Sequence, residues 1–419
     1  MRRKQSLLFA ISLLLLAAIP FNLTACLSSV QAADLMAGIS AQTVQGKTAD
    51  AKFIGKTADF SLNLFKQAIA EDKNALISPL SVLLALAMTA NGADKQTLAE
   101  MEAVLGGDIP LAELNEYLYS YVENLPSDKK AKLTAANSIW FRGDENRLTV
   151  EKDFLQTNAN YYKAAAYKSP FDKQTLKDIN NWVKKNTDNM IDKILDEIAE
   201  DAVMYLINAI VFEAEWETVY NKNNIFEGEF TAFDGRKQKV ELMGSEESFY
   251  IDDGRATGFI KPYANNKYSF VALLPNEDIA LSNYVEGLSG ERFLQTIDGA
   301  VNTLVSATLP KFSYDYEIQM NDALKDLGMP TAFSAAQADF TKLGRSTRGN
   351  IYIGEVLHKT FIQVDELGTK AGAVTKVEMR DEAYVETKIV VLDRPFVYAI
   401  IDNASKLPVF IGTVMEIGE

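Results

Sequence analysis

The chain is predicted to fold as a single α+β domain, and three observations carry that expectation. Residues 269–274 and 301–309 are rich in β-branched, aromatic and aliphatic side chains, whereas 81–90 and 179–183 read as helical stretches. With 419 residues, 47% of them hydrophobic, the chain can bury a substantial core. After residue 60 no Pro/Gly/Ser-rich stretch divides it, and no internal repeat of fixed period is present.

The N-terminus reads as an export signal. Met1-Arg2-Arg3-Lys4 is basic, and an apolar run of about 13 residues from Leu7 to Ile19 follows it. That run is too short for a comfortable membrane span. Small residues then lead into Leu23-Thr24-Ala25-Cys26, which reads as a bacterial lipoprotein signal over residues 1–25, cut before Cys26, whose thiol is acylated. The expected location is therefore a bacterial cell envelope, with the protein exported and held by a lipid anchor. Residues 26–54, rich in Ala, Ser, Gln and Thr, are expected to be a flexible tether, and the folded domain to occupy 55–419. Cys26 is the only cysteine, so the chain has no internal disulfide.

The most informative stretch is residues 356–376. Through Val364 it is a strand: β-branched and aromatic residues dominate without a breaker. From Thr369 onward every second residue is small or apolar: Thr369, Ala371, Ala373, Thr375, Val377 and Met379. The intervening positions, Lys370 to Arg380, are largely polar. Such alternation suits a strand with one buried face, yet the small side chains and glycines also suit an exposed loop. A segment able to be either is a candidate switch.

This pattern resembles the hinge and reactive loop of the serpins, the loop-inserting inhibitors of serine and cysteine proteases. Further segments resemble that family in family order. They are Asn74 with 77–82 and 91–93, Asn137-Ser138-Ile139-Trp140, 179–183 with Thr187, and Asn208 with Trp216 and Tyr220. Leu309-Pro310-Lys311-Phe312, 327–329 with Ala332-Phe333, 338–340, Arg394-Pro395-Phe396 and 408–412 continue the series. The resemblance implies several helices around a large central mixed β-sheet, further sheets, and an exposed reactive loop at about 367–390.

What the resemblance implies for function is a one-use trap. A protease cuts the loop and forms an acyl-enzyme; the freed hinge inserts into the central sheet, carrying the covalently bound protease with it, one to one. About 16 inserted residues at ~3.3 Å each would move it roughly 50 Å. The implied hinge is Glu366, Gly368, Thr369, Ala371, Ala373 and Thr375. Leu367, Lys370 and Gly372 depart from the usual family residues, but the inward-facing set holds no Pro and no charge, as insertion requires. The implied gate of the sheet comprises Ser78, Ser81, Asn208, Trp216 and His358, with His358 hydrogen-bonding near Ser78, Ser81 and Asn208.

Family spacing from Gly368 puts the reactive bond at Glu382–Ala383. Arg380–Asp381 is an alternative suited to trypsin-like proteases, and Ala383 or Tyr384 would serve elastase- or chymotrypsin-like ones. The productive cut is expected between residues 379 and 385.

Enzymatic readings are disfavoured. A Ser-His-Asp or Cys-His hydrolase needs a base, and His358, the sole histidine, lies in the strand before the hinge. One histidine and one acylated cysteine leave no structural zinc site, and no metal or other cofactor is implied. The alternative to inhibition is a non-inhibitory serpin-fold binding or carrier protein displayed on the cell envelope. The net charge is −15, and −18 once Arg2, Arg3 and Lys4 are removed, which disfavours nucleic acid. Some serpins bind glycosaminoglycans through a basic helix; here residues 111–127 hold no Lys or Arg, so none is expected to bind. The protein is expected to be a monomer.

Overall fold

The computed structural model describes residues 30–143, 148–200, 202–369 and 387–418. From the N-terminus come β1 (Ala33–Asp34), α1 (Ala51–Ala68), β2 (Ala75–Ile77), α2 (Pro79–Ala90), α3 (Lys95–Leu105) and α4 (Leu111–Asn124). Next are β3 (Ala131–Arg142), β4 (Leu148–Val150), α5 (Lys152–Tyr162), β5 (Ala165–Ser169), α6 (Lys173–Asn186) and β6 (Met204–Glu215). Then follow β7 (Ile225–Thr231), β8 (Lys237–Asp252), β9 (Ala256–Pro262), β10 (Tyr268–Pro275), α7 (Leu281–Glu286) and α8 (Gly290–Asp298). The remainder is β11 (Val301–Pro310), β12 (Phe312–Gln319), α9 (Asn321–Asp326), β13 (Gly344–Ser346), β14 (Glu355–Val364) and β15 (Gly368–Thr369), then β16 (Lys388–Val391), β17 (Phe396–Asp402) and β18 (Pro408–Val414).

Seven strands form the central sheet in the order β1-β5-β3-β6-β15-β14-β12, with β6 also pairing β14 directly. A second sheet runs β16-β11-β8-β9-β10-β17-β18-β2, with β7 beside β8, and β13 pairs β4 apart from both. Helix α2 lies under β6 and is buried at every position, as its Leu/Ala/Val/Met composition dictates. Pro79 opens it, where a missing N–H costs nothing. Helix α6 covers the opposite face of β3 and β6 with an amphipathic stripe that includes Ile179, Trp182 and Val183. Its start is fixed by a capping box between Asp172 and Thr175. The middle of the central sheet, β3 and β6, is therefore covered on both faces.

The flexible tether expected over 26–54 is a point of correction. From residue 30 the backbone is packed: Gln31 and Ala32 donate to the Asp178 carboxylate at 2.8 and 2.9 Å, and β1 pairs antiparallel with β5. Gln42 donates to Asn160 at 2.8 Å, and Lys47 pairs with Glu113 on α4. Helix α1 starts at Ala51, capped by Asp50, rather than after residue 54. The composition is polar, but its hydrogen bonds are collected by helices 66 to 147 residues away.

Candidate functional site

The root of the loop lies at the top of the central sheet. Strand β15 pairs antiparallel with both neighbours: Gly368 with Glu215, and Thr369 with Ala214 and Val364. Gly368 is required by proximity, since a Cβ there would lie 2.0 Å from the Ala214 carbonyl oxygen. Asp365 shapes the tight turn before it, its carboxylate accepting from the amides of Leu367 at 2.8 Å and Gly368 at 3.2 Å. Thr369 is buried, and its hydroxyl shares a hydrogen bond of 2.5 Å with the Tyr263 hydroxyl.

Trp216 anchors this turn. Its indole N–H donates to the Asp365 carbonyl at 2.9 Å, and its backbone N–H to that of Leu367 at 2.9 Å. The Tyr220 amide donates to the Glu366 carbonyl at 3.0 Å, and the Trp216 ring stacks on Tyr263 with centroids 4.5 Å apart. Glu366 meets Lys311 at 2.9 Å, and Lys311 also meets Glu241 at 3.2 Å. The Lys311 ammonium beside Glu366 holds its carboxyl below the usual carboxylate range.

Lower in the sheet, β6 and β14 pair parallel only from Glu355–Tyr205 to His358–Asn208. Above that point they diverge around a narrow cleft lined by Ile210, Val211, Phe212, Phe361, Ile362 and Gln363. Met190 and Ile191 also line it, and Thr369 stands at its upper end. The two-residue β15 thus ends, at Thr369, beside a gap with a strand edge on each side.

At the closed end sits His358. Its Nε2 accepts from the Ser78 backbone N–H at 3.0 Å, while Nδ1 and the Ser78 hydroxyl are buried with no hydrogen-bond partner among the described residues. Burial lowers its pKa to about 3, so the imidazole is neutral. The expected contact with Ser78 is present, but through the main chain rather than the hydroxyl. Ser81 is buried one turn into α2. The Asn208 backbone stands between Asn137 and His358; its side chain lies outside the described residues.

Thus Glu366, Gly368, Thr369 and Trp216 come together at the top, and Ser78 and His358 at the closed end below, with Ser81 buried in α2. Ala371, Ala373, Thr375, the candidate bond residues Arg380, Asp381, Glu382, Ala383 and Tyr384, and Cys26 lie outside the described residues. Sequence reasoning missed Asp365, Tyr263 and Lys311 as parts of the site. Lys311 lay within the quoted Leu-Pro-Lys-Phe segment, and Asp365 at an Asx-turn position just before Glu-Leu-Gly. Thr360, whose hydroxyl donates to the Leu76 carbonyl at 2.8 Å, left no signal of its own.

The model of the family described as serpin (serine protease inhibitor) matches residues 55–417. The chain is a serpin. It is 57% identical to tengpin, a thermophilic serpin; the native-state crystal structure of that protein superposes with a TM-score of 0.90, covering 93% of this chain and 100% of that one. The latent-state structure of tengpin superposes with a TM-score of 0.81 at 56% identity, covering 89% of this chain and 100% of that one. Human neuroserpin is 28% identical over 377 residues, 86% of this chain and 90% of its own length. Serpins are protease inhibitors and not enzymes.

Proposed function

We propose that this serpin inhibits serine endopeptidases, with cysteine endopeptidases as a second target class, by inserting its cleaved loop between β6 and β14. The observation that carries this reading is a shared register. Thr369 opposes Ala214 and Val364; six residues further along an antiparallel strand, Thr375 would oppose residues six earlier on each neighbour, Asn208 and His358. Those two residues already oppose each other in the β6–β14 ladder. A strand continuing from β15 therefore enters without a register slip on either side. Once Ala371 has passed between Phe212 and Ile362, and Ala373 between Ile210 and Thr360, the four-pair ladder from His358–Asn208 to Glu355–Tyr205 must part laterally.

The chemistry follows from that geometry. The protease nucleophile attacks the carbonyl of the residue before the cut. The peptide nitrogen leaves with a proton as a new N-terminus, and the loop stays bound as an ester, or a thioester for a cysteine protease. Residues 371, 373, 375, 377 and 379 then face inward as Thr369 does, and each new backbone group finds a partner in the sheet. The favoured bond is Glu382–Ala383, with Arg380–Asp381 and the bonds at Ala383 and Tyr384 as alternatives. Incubation with trypsin, chymotrypsin, elastase and subtilisin, followed by N-terminal sequencing of each covalent 1:1 complex, tests this. The expected cut falls between residues 379 and 385; a productive cut upstream of Val377 would refute it.

The same reading places the protein, as a monomer, on a bacterial cell envelope through an acyl group on Cys26. Chain packing from residue 30 leaves only residues 27–29 between the anchor and the body, a reach of roughly 14 Å. The β1–β5 edge would then lie close to the lipid. Labelling with a radioactive fatty acid, lost in Cys26→Ala, is the expected result; an unmodified secreted chain would contradict it.

A further inference from the structure

Beneath the loop root lies a buried ion pair outside the site described above. Lys261 of β9 and Glu247 of β8 are 2% and 6% exposed, and their charged groups meet at 2.7 Å. Glu247 also accepts from the Ser245 hydroxyl at 2.6 Å. The ammonium donates to the Thr218 carbonyl at 3.3 Å and lies 4.4 Å from the Tyr220 ring centroid and 5.4 Å from that of Trp216. The turn 216–220 is thus wrapped around one buried cation. The same turn holds the loop root, through the bonds from Trp216 and Tyr220 to the carbonyls of Asp365, Glu366 and Leu367.

A buried ion pair is a poor source of net stability, because desolvation offsets most of the Coulomb attraction, and well-packed apolar side chains do as well or better. What it adds is direction: an ammonium held by a carboxylate can donate to a carbonyl and face two π systems only in one arrangement. We infer that Lys261, fixed by Glu247, is a positioning residue for loop insertion, clamping the turn 216–220 so that β15 keeps its register while the strand behind it zips in. This inference rests on the insertion reading above. Insertion competes with hydrolysis of the acyl-enzyme, so a loosened root should let more proteases escape.

The test is the Lys261→Met/Glu247→Leu double variant, which removes both charges and leaves neither partner stranded. Hydrogen exchange at the Trp216 and Tyr220 amides should accelerate at least about fivefold, the loss expected for one weakened hydrogen bond, while the Ile210 amide stays unchanged. The number of inhibitor molecules consumed per protease trapped should rise severalfold, with the melting temperature of the intact protein within a few degrees of the parent. Unchanged exchange at those amides overturns the inference, as does faster exchange with unchanged stoichiometry. A large fall in melting temperature also overturns it, since the pair would then be ordinary core. Should the parent trap no protease in the panel, the insertion reading fails on its own, and the exchange contrast still decides whether the clamp exists.

Discussion

Thr369 and Tyr263 share a hydroxyl–hydroxyl hydrogen bond of 2.5 Å at the point where the loop enters the central sheet. The bond turns the Thr369 side chain inward. An arginine at 369 would place a guanidinium in a site now 3% exposed, and an unpaired charge there would cost several kcal/mol. Thr369→Arg should therefore convert inhibitor to substrate: the loop is cut, but the covalent complex disappears from denaturing gels. Full-stoichiometry complexes from this variant would refute the inward assignment.

The gate of the sheet should be acid-sensitive. His358 has a folded pKa of about 3 against an ordinary value near 6.5, so below that value the unfolded chain binds a proton that the folded one refuses. Its contribution is present above pH 6.5 and is lost progressively as pH falls toward 3. Glu366, depressed by Lys311, acts in the same sense at lower pH, its stabilisation present above the ordinary carboxylate range and lost on protonation. Thermal melts from pH 7 to 4 should fall less steeply for His358→Gln, which can still accept from Ser78. Parallel slopes would show that the histidine is not responsible.

The exposed Lys311–Glu366 pair should matter little for stability at neutral pH. Both side chains are partly solvated, 23% and 29% exposed, so Glu366→Gln should cost no more than about 1 kcal/mol in denaturant melts. A loss several times larger would mean that the pair does more than tie down the turn.

Asp178 should control the N-terminal segment. Its carboxylate collects both the Gln31 and Ala32 amides, and Gln174 donates to its other oxygen at 2.9 Å. Asp178→Ala leaves these donors without their acceptor and should open residues 30–40 to limited proteolysis, with the rest of the chain still resistant. Protection equal to the parent would show that the β1–β5 pairing suffices.

Much of this was legible in the sequence. The runs now seen in α2, α6, β10 and β11 were read correctly, because each is dominated by its own periodicity, and Thr369 is buried; the alternation beyond it falls outside the described residues. What was not legible depends on partners far apart in the chain. The order of residues 30–50 is supplied by Asp178, Asn160 and Glu113, which leave no pattern in a polar segment. The link between His358 and Ser78 runs through a backbone N–H, which no side-chain motif records. The Lys261–Glu247 pair is 14 residues apart on adjacent strands, and on the chain alone it reads as two ordinary surface charges.

Completing the sheet should also raise heat resistance, because the inserted strand gains backbone partners on both sides and buries its alternate side chains. Protein cut within 379–385 should melt well above the intact form. Equal melting temperatures would leave insertion without a driving force.

The central claim, a common register for β6, β14 and the incoming strand, is tested most directly by the crystal structure of the loop-cleaved protein. The account predicts Thr375 between Asn208 and His358, with the pairing begun at Thr369 continued unbroken down both edges. A cleaved structure in which Asn208 and His358 still oppose each other directly, with the cut loop lying outside the sheet, would contradict it.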